Sequence, residues 1–134
     1  MTFSHTAGGS LLMNLYESAE NYLETILILR NRLGEVRSID IVSELDFSRP
    51  SVSVAMKKLR ESGHIDMDRD GYITLTESGL KIAESVYERH TILSDFLISL
   101  GVDEKIAAED ACRMEHMLNQ QTFEKIRDHV KRKK

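Results

Sequence analysis

Residues 48–76, SRPSVSVAMKKLRESGHIDMDRDGYITLT, constrain the chain more than any other stretch, because their hydrophobic period changes from helical to alternating across Gly63. Ser48 is a good N-cap and Pro50 falls in the first turn, where a missing N–H costs nothing. Val52, Met56 and Leu59 then recur at the spacing of a buried stripe. The opposite face carries Ser51, Val54, Lys57 and Lys58, small near its start and basic further on. Beyond Gly63, Ile65 and Met67 alternate with aspartates, Asp70-Gly71 supplies a tight turn, and Ile73 and Leu75 alternate on the return, which predicts a two-stranded hairpin. Just upstream, Ser38 is expected to cap a brief helix, IDIVSEL, with Ile41, Val42 and Leu45 on one side and Asp40 in its first turn. Two short helices joined by a tight turn, the second with a basic outer face and a hairpin directly after it, form a winged helix-turn-helix.

Charge distribution agrees. The chain carries a net charge of −4, which argues mildly against general nucleic-acid binding, but residues 48–69 hold five basic and three acidic side chains and so stand at +2 against −6 elsewhere. Lys57, Lys58 and Arg69 are assigned to phosphates, and Arg49, Pro50 and Ser51 to the groove, with Ser48 and Ser53 beside them. Serine, proline and valine discriminate bases weakly, so thymine methyls and DNA shape should matter as much as hydrogen bonds.

The remainder reads as helix. Leu15, Ala19, Tyr22, Leu23, Ile26, Leu27 and Leu29 predict a first helix from about Asn14 to Leu33, stopped by Gly34. From Thr76, Leu80, Ala83, Val86, His90, Leu93, Leu97 and Leu100 lie near a heptad spacing up to Gly101, followed by helices from about Asp103 to Asn119 and from Thr122 into the basic tail. The expected fold is therefore mainly α, with a leader over residues 1–13, a winged helix-turn-helix over 14–76 and a helical domain over 77–134. Some 55 helical residues after the wing exceed what DNA docking needs, and two-fold operators favour two-fold proteins, so a homodimer is expected. The leader has neither the basic start nor the apolar core of a secretory signal, no run approaches the ~20 apolar residues of a membrane span, and one cysteine forms no internal disulfide. A cytoplasmic protein with no membrane partner is expected.

The segment EDACRMEHML places Cys112, Glu115 and His116 at i, i+3 and i+4, within about 100° of one another on a helix. Ile106, Ala107, Ala111, Met114 and Leu118 form the adjacent apolar stripe, leaving this face at the edge of the core. On spacing alone the trio reads as metal ligands, as a buried small cysteine beside ordinary helix surface, or as a thiol that senses oxidation. Catalysis is excluded more firmly, because Cys112 is mid-helix with no oxyanion loop near it, so neither an enzyme nor a small-molecule substrate is expected. His90, on the apolar seam, reads as a hydrogen-bonded core histidine or as a further ligand.

DACRMEHML, with ERHTILSDFLISLGVDEKIAAE before it and SAENYLETI and FSRPSVSVAMKKL upstream, resembles the metal-dependent repressors of the diphtheria toxin repressor and manganese transport regulator type over about residues 16–130. The resemblance implies a divalent ion held by His90, Cys112, Glu115 and His116 of the helical domain and by Asn21 and Glu24 of the first helix. Cys112 stands where iron-type members have cysteine and manganese-type members have glutamate, whereas Glu24 matches a manganese-type ligand and Asn21 matches neither type. The thiolate favours iron(II), with manganese(II) next. Ser94 and Ala108 occupy ligand positions of the family's second site and cannot substitute directly, and the SH3-like domain of the long members is not expected. Metal binding would fix the angle between winged helix and dimer core and so raise operator affinity.

Overall fold

The computed structural model describes residues 11–132, with side chains from residue 19 onward. Among the described residues, six helices and one small sheet follow in the order α1 (Leu11–Leu33), β1 (Val36–Arg37), α2 (Ser38–Leu45), α3 (Arg49–Glu61), β2 (Ile65–Met67), β3 (Tyr72–Leu75), α4 (Glu77–Ser99), α5 (Glu104–Met114) and α6 (Gln120–Arg132). The chain divides into two compact units, residues 1–84 and 85–134, with the division inside α4. Of the leader expected over residues 1–13, residues 1–10 lie outside the described residues and Leu11 opens α1.

The first unit is a winged helix-turn-helix. Its core joins Tyr22, Leu23, Ile26, Leu27 and Leu29 of α1 to Ile41 and Leu45 of α2 and to Val52, Met56 and Leu59 of α3, with Ile65 and Ile73 from the hairpin. Helical spacing places Val52, Met56 and Leu59 on one face of α3, and all three are buried in this one cluster. The chain turns between α2 and α3 through Asp46, whose φ of 56° lies in the left-handed region that aspartate tolerates better than most residues. Ser48 Oγ accepts from the Ser51 amide at 3.2 Å and caps α3. At the other end Gly63, with φ of 80°, donates to the Arg60 carbonyl while His64 donates to that of Leu59, the paired bonds that close a helix through a left-handed residue.

The expected hairpin is β2 and β3, and a third strand extends it: the sheet runs β1-β3-β2, all antiparallel, because Val36 and Arg37 pair with Ile73 and Tyr72. A two-residue strand is too short to show alternation. The cap of α2 is Arg37 rather than Ser38: Asp40 Oδ2 reaches back to accept from the Arg37 amide at 2.9 Å, and Ser38 is already helical.

The wing leads straight into α4. Thr76 Oγ1 donates to the Gly63 carbonyl at 2.7 Å and accepts from the Gly79 amide at 3.3 Å, so one threonine ends the hairpin and caps the helix. Gly79 is buried against the His64 carbonyl, and a Cβ there would sit 1.9 Å from that oxygen. Only glycine lets the backbones approach this closely.

In the second unit Val86 and Leu93 of α4, Ala107, Ala111 and Cys112 of α5 and Phe123 of α6 are buried. Asp103 Oδ2 accepts from the Lys105 and Ile106 amides and caps α5. Leu100 and Ile106, expected on apolar stripes, are instead 65% and 52% exposed. Leu100 lies beyond the last residue of α4, and Ile106 is rotated by about 100° from Ala107, the residue that takes the inward position. No helix among the described residues is long and apolar enough to cross a membrane.

Candidate metal centre and DNA-reading face

Three potential ligands meet within the second unit. One donor atom each from His90, Cys112 and Glu115 lie within 4.8 Å of one another. α4 supplies His90, the last turn of α5 supplies Cys112, and Glu115 follows as the C-cap residue, its backbone still helical at φ −60°, ψ −26° and its amide donating to the Ala111 carbonyl at 2.9 Å. α5 thus ends at Met114, five residues earlier than expected, and the turn after it carries His116.

Burial sets the electrostatics. Glu115 is 1% exposed and Cys112 4%, whereas the His90 side chain is 29% exposed, so two of the three ligands are buried and the third is partly open to solvent. Glu115 Oε2 is 3.0 Å from His90 Nδ1. Oε1 faces His116 Nε2 at 3.3 Å as an ion pair and has no further hydrogen-bonding partner among the described residues. Burial by itself pushes the Glu115 carboxyl up, but the contacts and charges of His116 and His90 outweigh it and hold the group below its ordinary value. A buried carboxylate with an unsatisfied oxygen is costly unless a cation meets it. An imidazole nitrogen, a thiolate sulfur and a carboxylate oxygen form a donor set suited to a first-row divalent ion, and the residues present fit one.

The other expected ligands are placed as follows. The His116 side chain is 2% exposed and touches Glu115, but it is not one of the three that converge. Asn21 and Glu24 sit one turn apart on α1 of the first unit, Asn21 half-buried and Glu24 buried. Ser94, one turn beyond His90 on α4, has a buried hydroxyl oxygen with no hydrogen-bonding partner among the described residues.

The expected DNA-reading residues form a contrasting group. Ser48, Arg49, Pro50, Ser51, Ser53, Lys57 and Lys58 are all exposed, the first as the cap of α3 and the rest along it. Arg69 is exposed at the wing turn, where Asp68 Oδ1 accepts from the amides of Asp70 and Tyr72, both at 2.9 Å, and shapes the bend. Arg37, not singled out from the sequence, braces this turn: its Nη2 donates to the Asp70 carbonyl at 2.5 Å and its guanidinium lies 5.0 Å from the Tyr72 ring centre. Arg37 itself lies on the unrecognised strand β1 and its pairing partner, Tyr72, is 35 residues away, so no local pattern marked it.

Comparison with known proteins agrees with this architecture. The family described as iron dependent repressor, N-terminal DNA binding domain, matches residues 14–73, and the one described as iron dependent repressor, metal binding and dimerisation domain, matches residues 76–134. The chain is 37% identical over 111 residues to the transcriptional regulator MntR of Escherichia coli O6:H1, covering 83% of this chain and 72% of the relative. It is 32% identical over 113 residues to an uncharacterized HTH-type transcriptional regulator of Methanocaldococcus jannaschii, covering 83% and 90%. Among solved structures, a manganese-dependent transcriptional repressor in complex with manganese superposes with a TM-score of 0.77 at 26% identity, over 84% of this chain, and the manganese regulator SloR with 0.75 at 26%, also over 84%. The chain spans about half the length of these two structures, 52% and 53%. It belongs to the iron-dependent repressor family, whose members of the diphtheria toxin repressor and manganese transport regulator type are metal-dependent transcriptional regulators and not enzymes.

Proposed function

We propose that this protein is a metal-responsive repressor that binds operator DNA as a homodimer when loaded with a divalent first-row ion, and that it acts in the cytoplasm. The convergence of His90, Cys112 and Glu115, the last a buried carboxylate with one oxygen that lacks a hydrogen-bonding partner among the described residues, carries the reading. His116, in contact with that carboxylate, completes the set on this side. Glu24 and Asn21 are assigned as further ligands on the family resemblance, which links metal occupancy to the DNA-binding unit. Bound there, the ion would supply positive charge that the carboxylates otherwise lack, and its differential affinity for the DNA-competent state would shift the population toward that state.

On the choice of metal, the preference for iron(II) drawn from the thiolate finds no support among the relatives, two of which are described as manganese regulators. Manganese(II) is therefore the leading activator, with iron(II) second. For DNA, Lys57, Lys58 and Arg69 contact phosphates, and Arg49, Pro50 and Ser51 enter the groove, flanked by Ser48 and Ser53. The homodimer is supported by five large apolar side chains of the second unit, Tyr87, Ile98, Leu100, Ile106 and Met117, each more than 40% exposed.

Against an oxidation sensor stands the burial of Cys112 at 4% exposure, since reactive sensor thiols are accessible. The deciding experiment titrates chelated protein with manganese(II) or iron(II), anaerobically, against a duplex selected from a random pool. Affinity should rise at least fivefold with one of the ions. A change below about threefold with both, short of the ~1 kcal/mol that useful coupling requires, sinks the proposal.

A further inference from the structure

Arg89 precedes His90 on α4 and contributes nothing to the ligand set, yet it is the most heavily engaged arginine of the second unit. Its Nη1 donates to the main-chain carbonyl of Glu115 at 2.8 Å and to that of Leu118 at 3.1 Å, and its Nη2 donates to Gln120 Oε1 at 2.6 Å. The guanidinium also lies 4.9 Å from the centre of the buried Phe123 ring. The Gln120 amide is oriented for this by its own N–H, which donates to Glu124 Oε2 at 3.3 Å. One side chain thus holds the turn between α5 and α6 at its first residue, near its last residue and against the helix that follows.

The turn it holds carries Glu115 and His116. α4 therefore grips Glu115 twice from adjacent positions: Arg89 takes the main-chain oxygen and His90 Nδ1 meets the carboxylate at 3.0 Å. The carbonyls at a helix C-terminus have no partners within the helix, and a planar fork of donors can satisfy one of them, that of Glu115, together with the Leu118 carbonyl of the following turn while staying rigid. Three hydrogen bonds from one side chain restrict the turn that carries this carboxylate.

We infer that Arg89 is a positioning residue for the metal centre, presetting Glu115 and His116 toward His90 and Cys112 before the ion arrives. This rests on the reading of that cluster as a metal site. Its physical content is preorganisation: without the fork, ordering the turn becomes a cost of metal binding, and outer partners of metal ligands commonly change affinity by about 10–100-fold. Lysine keeps the charge but offers one compact donor centre in place of the fork, so R89K separates geometry from charge.

The test uses cobalt(II) as the probe, with the full chain and anaerobic titration followed by absorption. Wild-type protein should show the thiolate charge-transfer band of a Cys112-bound ion and a defined d–d spectrum. R89K should bind about tenfold more weakly or worse, with altered d–d intensity as Glu115 loosens and the charge-transfer band retained through Cys112. Gln120→Ala removes one anchor at an exposed position and should weaken binding about threefold, which keeps the test available if R89K does not fold. R89K, or Gln120→Ala in its place, that stays folded and matches wild type in affinity and spectrum within twofold overturns the role of Arg89 alone. A wild-type protein that binds no cobalt(II) overturns the metal site and this inference together.

Discussion

The two functional groups of residues are built on opposite terms. Along α3 and the wing every DNA-reading candidate is exposed and rests on a core made by other residues, Val52, Met56 and Leu59, on the inner face of the same helix. In the second unit two of the three converging ligands, Cys112 and Glu115, are themselves core, and Glu115 is as buried as Leu23 or Ile26. An exposed reading face can change its specificity with little effect on folding, because surface substitutions seldom move stability by more than about 0.5 kcal/mol. A buried ionisable cluster cannot, since its charges are held in check only by one another and by whatever cation they bind.

The sharpest way to break this contrast is Glu115→Gln. Replacing the central carboxylate should lower manganese(II) affinity by at least about 100-fold, beyond what outer partners cost, and abolish the rise in melting temperature that the ion gives the wild type. Isothermal titration and melting with and without the ion check it. Retained affinity would mean the carboxylate is merely a core group.

Gly79→Ala probes the junction below the wing. A Cβ placed 1.9 Å from the His64 carbonyl forces backbone to move, and chemical denaturation should show a loss of about 1–3 kcal/mol with metal affinity unchanged. An unchanged midpoint would show that the first turn of α4 and the end of α3 are free to separate.

On the reading face, Lys57→Ala or Lys58→Ala should reduce the slope of log affinity against log salt by about 1 each, uniformly across DNA sequences, while stability and metal binding stay put. A loss confined to one sequence would move the residue from phosphate to base contact.

Acid sensitivity is the smallest effect. Because His116 and His90 outweigh burial and hold the folded Glu115 carboxyl below its ordinary value, the group stabilises the fold above its unfolded value of about 4.3. That contribution is lost as pH falls through the lowered folded value. In chelator, denaturation midpoints of the wild type should fall in this acid range, and those of Glu115→Gln should fall less.

How much of this was legible in the sequence follows the same division. The inner face of α3, the Ser48 cap and the Asp70-Gly71 turn are local in sequence, so spacing and residue type disclosed them. Ile106 misled because period alone does not fix the phase of a stripe, and the inward position went to Ala107 one residue on. Cys112, Glu115 and His116 were conspicuous as neighbours, but the pairing of Glu115 with His90 spans 25 residues and two helices, and only the family resemblance had put them together. The forks of Arg37 and Arg89 reach turns 33 and 26 residues away, and a lone arginine carries no signal of what it will hold.

The central claim is that metal occupancy and DNA affinity are one linked equilibrium, and linkage is reciprocal. Its most direct test is manganese(II) affinity measured by isothermal titration, with and without a saturating selected duplex. DNA should tighten metal binding by at least about fivefold, by the same factor as the metal tightens DNA binding. Metal affinity that does not change when DNA is present would contradict it.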